Sequence, residues 1–379
     1  MDSITQATLG ALCGELVLRK QLGWKGAAWG LFFGTLPDLD ILAAPFLDGL
    51  EWLRFHRGIS HGLLAVFLGP LLLAWPFTKI HKQVSYRRAY LFLWLTWLTH
   101  VLIDCFNSYG TQLFAPFSDR PIAFNNIAII DLFFTLPTLF GLIICLFRKK
   151  DSRGRTILVT LITAWICTYT ACSFAIQQKA RQHFSQVLEA NDLAPDDFTV
   201  SPTLTNIFLW RMLARTDDSY YVCYWSIFDP KDAVPRIDHI QRAPETVSEF
   251  RGSQAFETID WFSSGYWKAY FYPDKPNSVY LADMRFTEMH AQIGSKAVKV
   301  PPFMWKLTKD GADVKIQRSS GRSATGKEGE SMPQKISRFL DPLITRIKGD
   351  TTAWEKDARW PWDTAELEST YFPADSTQP

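Results

Sequence analysis

The chain has 379 residues, a net charge of +2 and 47% hydrophobic residues, which on average describes a soluble protein of two or three domains. The distribution removes that reading: residues 1–177 hold nearly all the long apolar runs, with 15 Lys and Arg against 10 Asp and Glu, while the remainder holds 25 against 28. Neither part carries the basic excess of a nucleic-acid-binding surface, so nucleic acid is excluded as a partner.

Six apolar helical segments are predicted, at Ile4–Leu18, Gly26–Leu47, Ser60–Phe77, Ala89–Phe106, Ile127–Phe147 and Thr156–Ile176. A helix needs about 20 apolar residues to cross a hydrocarbon core of about 30 Å. The last four segments meet or approach this; the first is short, and Pro37-Asp38-Leu39-Asp40 interrupts the second. The extreme N-terminus, Met1-Asp2-Ser3, has no positive region of the kind that opens a cleaved signal peptide.

Orientation follows from the loops. Arg19, Lys20 and Lys25 follow segment one; Lys79, Lys82, Arg87 and Arg88 follow segment three; Arg148, Lys149, Lys150, Arg153 and Arg155 follow segment five. The alternate loops carry only Arg54, Arg57 and Arg120. Positive charge marks the cytoplasmic side. The N-terminus, the Phe46–Ile59 and Asn107–Asn126 loops and everything after the sixth segment are therefore expected to face out.

After Gln177 the composition changes. Gln178–Asn191 reads as a polar helical continuation, followed by strands. Thr205–Arg215 and Tyr220–Asp229 flank the hairpin signal Thr216-Asp217-Asp218-Ser219. Tyr266–Tyr272, Ser278–Phe286, Phe303–Leu307 and Val314–Ile316 are further strands, and Arg318–Lys335 reads as a loop. The predicted fold is an α-helical polytopic membrane bundle of about six spans over residues 1–177, with a soluble β-rich domain over 178–379. Cys223 is the lone cysteine of that second domain, which excludes a disulfide within it.

The polar residues gather on one side of this topology. Asp38 and Asp40 sit at the break in segment two, and His56 and His61 bracket the outward turn Phe55–His61. His100 and Asp104, spaced i, i+4, share a helical face at the outer end of segment four. Asp131 opens segment five, and Gln6 opens segment one. Ionisable groups in or beside a bilayer are costly and mark function. Four carboxylates and three histidines call for a neutralising cation, and mixed imidazole and carboxylate donors suit Zn²⁺, with Mn²⁺ or Fe²⁺ next, better than Ca²⁺. Seven donors exceed the three of a usual catalytic zinc site, leaving one ion or two open. Each element also has a plainer reading: Pro-Asp-Leu-Asp as a helix stop with a cap, Asp131 as a cap, and Glu15 as a partner of Arg19 one turn away.

Together, Met1–Gln6, Leu36-Pro37-Asp38-Leu39-Asp40, His56-Arg57-Gly58-Ile59-Ser60-His61, His100–Asp104, Asn107–Thr111 through Pro116-Phe117, and Asp131 resemble the YdjM/YbcI-type family of inner-membrane proteins, described as membrane-bound metal-dependent hydrolases. The resemblance covers about residues 1–177. It implies a metal shell of Asp38, Asp40, His56, His61, His100, Asp104 and Asp131. Arg57, Asp104 and Asp131 are expected to be catalytic, and Gln6, Arg57 and Asn107 to bind substrate. Many members carry Thr-His where this chain has Thr5-Gln6, which removes one strong donor. The expected activity is hydrolysis of a lipid-linked or phosphoester substrate at the outward membrane interface. The alternative is a non-enzymatic scaffold or transporter that binds a metal or headgroup.

Overall fold

The computed structural model describes residues 1–271, 276–286, 289–293, 296–300, 302–311, 313–318 and 332–351. These form two compact units: Met1–Phe46, Arg54–Gln177 and Leu204–Ile207 make the first, and the described parts of Leu47–Leu53, Gln178–Thr203 and Phe208–Pro379 make the second.

In the first unit, α1 (Ser3–Leu22) starts at Asp2, whose carboxylate accepts from the Thr5 N–H at 3.0 Å. A turn at Gly23, φ 59°, leads into α2 (Trp24–Thr35). These two helices meet along a seam of glycines, Gly10 and Gly14 on α1 against Gly26, Gly30 and Gly34 on α2. A Cβ on Gly34 would lie 2.7 Å from the Gln6 carbonyl oxygen and 2.9 Å from the Gly10 Cα, so only glycine permits this approach. Beyond Leu36, Pro37 opens a 3₁₀ segment, Pro37–Phe46, which replaces the second half of the predicted second helix. Next in the chain come α3 (Gly49–Phe55), which falls mostly in the second unit, a single 3₁₀ turn at Ile59–His61, α4 (Leu63–Ile80), α5 (Tyr86–Cys105), α6 (Leu132–Leu146) and α7 (Arg153–Ala190), whose residues beyond Gln177 belong to the second unit.

Leu18, Leu22, Ala74, Phe77, Ala89, Phe92 and Leu93 pack one core of this unit against Trp29 and Phe33. Ala11, Leu12, Ala27, Leu142, Cys145, Val159 and Ile162 pack another. The outside is apolar too: Leu72 is 73% exposed, and Trp75, Phe140 and Leu161 are also exposed. Large exposed apolar area of this kind suits lipid, not water. Among the described residues two helices, α4 with 18 residues and α7 with 38, are long and apolar enough to cross a membrane, and α6 is a shorter apolar helix. The other helices at predicted segments are shorter or carry more charge, such as Glu15, Arg19 and Lys20 on α1.

One of those charges has a second, closer partner beside the predicted one. Glu15 receives a two-pronged contact from Arg155 of α7, Nε to Oε1 at 2.7 Å and Nη2 to Oε2 at 2.6 Å, with both side chains buried. Arg19 stands farther off, 3.7 Å from Oε1.

The second unit is β-rich. β1 (Asp197–Pro202), β2 (Leu209–Arg215), β3 (Ser219–Ser226) and β4 (Ile237–Gln241) form one antiparallel sheet in sequential order. The β2–β3 hairpin pairs Arg215 with Tyr220 across the predicted turn, which Thr216 closes by accepting from the Ser219 N–H at 3.0 Å. α8 (Gln254–Ser263) precedes β5 (Trp267–Phe271) and β6 (Ser278–Asp283), and β7 (Met289–Ile293) pairs with β8 (Lys296–Val300). β9 (Met304–Asp310) and β10 (Asp313–Arg318) complete a second antiparallel sheet in the order β10-β9-β6-β5. Leu213, Tyr220, Val222, Tyr270, Tyr280, Met304 and Leu343 fill the core; Leu343 comes from α9 (Met332–Ile347), a helix that sequence reading missed. The predicted Arg318–Lys335 loop falls mostly outside the described residues, and its last four residues begin α9.

Candidate metal centre

Helical periodicity puts His100 and Asp104 one turn apart on α5, both buried. The 3₁₀ segment after Pro37 brings Asp38 to them, and the Arg57–Gly62 turn brings His61. That turn holds Arg57 in the left-handed region, φ 59°, where a residue with a Cβ is strained. Its neighbours fix it there. The Arg57 N–H donates to Asp40 Oδ2 at 3.1 Å, the Gln112 N–H donates to the Arg57 carbonyl at 3.1 Å, and Trp97 of α5 donates to the Ser60 carbonyl at 2.9 Å.

Four side-chain atoms then converge. His61 Nε2 and His100 Nε2 are 3.1 Å apart. Asp38 Oδ1 lies 3.3 Å from the first and 3.5 Å from the second; Asp104 Oδ2 lies 3.5 and 3.6 Å from them. His100 Nδ1 is 2.7 Å from the Gly34 carbonyl oxygen, which can only accept, so Nδ1 carries a proton and, in the neutral ring, Nε2 offers its lone pair. Ser60 Oγ, donating to Asp40 Oδ2 at 3.3 Å, accepts from His61 Nδ1 at 2.9 Å, which gives His61 the same tautomer. The two Nε2 atoms therefore face each other beside two carboxylate oxygens, a contact relieved either by a proton on one ring or by a metal ion among them.

The spacing suits such an ion. Zinc bound to nitrogen and oxygen at about 2.0–2.1 Å in a tetrahedron sets its ligand atoms about 3.3 Å apart. Asp104 Oδ2 is buried without a hydrogen-bond partner, while its other oxygen is amply bonded, to Gln6 Nε2 at 3.0 Å, to Arg57 Nη2 at 3.2 Å and to the Met1 amino group. The donor set fits a divalent metal. His61, His100 and Asp104 have fully buried side chains, whereas Asp38 keeps 26% of its own exposed, so the cluster opens on the side of the 3₁₀ segment.

The other predicted residues stand elsewhere. Asp40 is one layer out, accepting from His56 at 3.0 Å, from the Arg57 N–H and from Ser60. His56 thus pairs with Asp40, its ring 6.2 Å from that of His61. Asp131 is not brought to the cluster. It caps α6, accepting from the Phe134 N–H at 3.1 Å, and Tyr169 of α7 donates to its carboxylate at 2.8 Å. Gln6 and Arg57 both hold Asp104, and Arg57 also reaches Asn107 Oδ1 at 3.4 Å. Gly34, Ser60 and Tyr109, which lies under the Arg57 guanidinium at 4.5 Å, were given no role by sequence reasoning. Ser60 and Tyr109 lie inside the quoted motifs; the Gly34 carbonyl left no side-chain signal.

A helical unit with an apolar exterior and a buried cluster of two histidines and two aspartates, competent for a metal, defines the class of protein. Residues 1–180 match the model of the YdjM inner membrane protein family, the family that the motifs resemble. The chain is also similar to the uncharacterized protein YfhP of Bacillus subtilis (strain 168), 26% identical over 231 residues that cover 59% of this chain and 67% of that one. No solved structure matches the chain.

Proposed function

We propose that this protein is a membrane-bound, metal-dependent hydrolase that acts at the outward membrane interface on a lipid-linked phosphoester. In this reading six helices span the bilayer and residues 178–379 lie outside the cytoplasm. The observation that carries it is the pair of buried imidazole nitrogens 3.1 Å apart with two carboxylate oxygens around them. Asp38, His61, His100 and Asp104 would hold the ion, zinc first by donor type. Such an ion supplies Lewis-acid activation of water and of a phosphoryl or acyl oxygen at neutral pH.

The surrounding residues support turnover of an anionic group. Arg57 Nε and Asn107 Nδ2 are buried donors without a hydrogen-bond partner, next to the cluster, and a substrate oxyanion would satisfy both. Tyr109 stacks on Arg57 and limits its motion. The Asp38 side of the cluster carries exposed Ile41, Leu42 and Phe46, an apolar border for a substrate with lipid chains.

A second reading rests on a specific observation. Four protein donors complete a tetrahedral site, the pattern of structural zinc, whereas catalytic zinc keeps an open position. That favours a scaffold whose ion locks the helices. One experiment separates the readings: metal content and phospholipid turnover of the detergent-purified protein, wild type beside His61→Ala and His100→Ala. Loss of both metal and turnover in the variants supports the hydrolase. Metal without turnover on any lipid phosphoester moves the assignment to the scaffold, and a wild type that binds no metal overturns both.

A further inference from the structure

The carboxylates in and around the cluster differ in how their oxygens are committed. Asp40 has both oxygens occupied by donors, Oδ1 by His56 and Oδ2 by the Arg57 N–H and the Ser60 hydroxyl. Asp131 has both oxygens on Tyr169, at 2.8 Å each. Asp104 is divided. Oδ1 accepts from Gln6 Nε2 at 3.0 Å and from Arg57 Nη2 at 3.2 Å, while Oδ2 has no hydrogen-bond partner and faces the two imidazoles. Paired metal sites hold their ions about 3.5–4 Å apart. A second ion bridged by Asp104 would sit at Oδ1, where the Arg57 guanidinium and the Met1 amino group already stand. The guanidinium's fixed charge repels a dication and satisfies the oxygen that would bind one.

We propose that the site is built for a single divalent ion, with Gln6 and Arg57 as positioning residues that hold Asp104 by one oxygen so that only the other faces the metal. The inference rests on the reading of Asp38, His61, His100 and Asp104 as metal ligands. Gln6 suits the task because its amide donates without adding charge: it sits on α1, is fully buried, and also reaches the His100 carbonyl at 3.3 Å. It thereby ties both α5 ligands to α1.

The test counts metal in the full-length protein in detergent, stripped with chelator and reloaded by equilibrium dialysis against zinc. One equivalent per chain is the expected result. Two equivalents of comparable affinity would overturn the single-ion proposal and leave the metal reading standing; none would overturn the metal reading itself. Gln6→Leu, loaded with Co²⁺ as a spectroscopic probe, tests the positioning role. With the Gln6 amide gone, Arg57 and the Met1 amino group alone hold Asp104 Oδ1, so the carboxylate is less firmly oriented and the visible Co²⁺ bands should shift and broaden. The dissociation constant should rise about 10-fold, the scale of losing an outer-shell partner. A Gln6→Leu protein with wild-type Co²⁺ spectrum and affinity would remove Gln6 from the mechanism of selection.

Discussion

Gly34→Ala should weaken metal binding without touching a ligand. The added Cβ would stand 2.9 Å from the Gly10 Cα and 2.7 Å from the Gln6 carbonyl oxygen. Carbon atoms pack at about 3.5 Å or more, so α2 must retreat from α1 by about 0.6 Å. The Gly34 carbonyl goes with it. Its bond from His100 Nδ1, now 2.7 Å, would stretch past the usual limit of about 3.2 Å and release the imidazole from its tautomer and angle. Loss of such a partner costs about 10–100-fold in metal affinity. Overpacking costs about 1–3 kcal/mol, offset in part by the better helix propensity of alanine. Zinc affinity is read by competition with a chromophoric chelator in detergent, beside thermal unfolding of the same samples. Gly26→Ala is the control: its Cβ meets Gly14 O at 2.9 Å in the same seam, two turns from Gly34. It should destabilise comparably and leave zinc affinity nearly unchanged. If Gly34→Ala keeps wild-type affinity, or Gly26→Ala loses as much, the link from seam to ligand is wrong.

Three other outcomes are expected. Glu15→Ala leaves the Arg155 guanidinium buried without its carboxylate, which should cost about 3–5 kcal/mol; the Glu15→Ala/Arg155→Met double variant should recover most of it in thermal unfolding. Tyr169→Phe removes a charge-assisted bond to Asp131 and should cost about 1.5–3 kcal/mol while metal content stays at the wild-type value, because Asp131 caps a helix outside the cluster. A phosphatase reporter fused after Pro379 should be active and a cytoplasm-dependent reporter silent; the reverse pattern would mean an odd number of spans.

Some of this was legible because it is local. His100 and Asp104 share a face by helical period alone, and a proline followed by two aspartates announced the break that delivers Asp38. The β2–β3 hairpin was written in its turn residues. Direction was not legible. Spacing put Asp40, His56 and Asp131 at the same end of the bundle as the four converging side chains. Which way each carboxylate turns depends on donors far along the chain, such as Tyr169 for Asp131. Glu15 illustrates the same limit: Arg19 was its neighbour in sequence, but Arg155, 140 positions away, arrives with a better-aligned fork. The Gly34 carbonyl could not be found at all from side chains, since every residue has one.

The unequal cover over the four converging side chains sets how fast any ion held there can leave. Three of them are sealed, and only Asp38, on its 3₁₀ segment, meets the exterior. A chelator cannot reach past the histidines, so an ion would leave on the Asp38 side, at a pace set by motion of that segment. Stripping should then run at a rate independent of chelator concentration once chelator is in excess, with the residence time governed by Pro37–Phe46 and not by the strength of the scavenger.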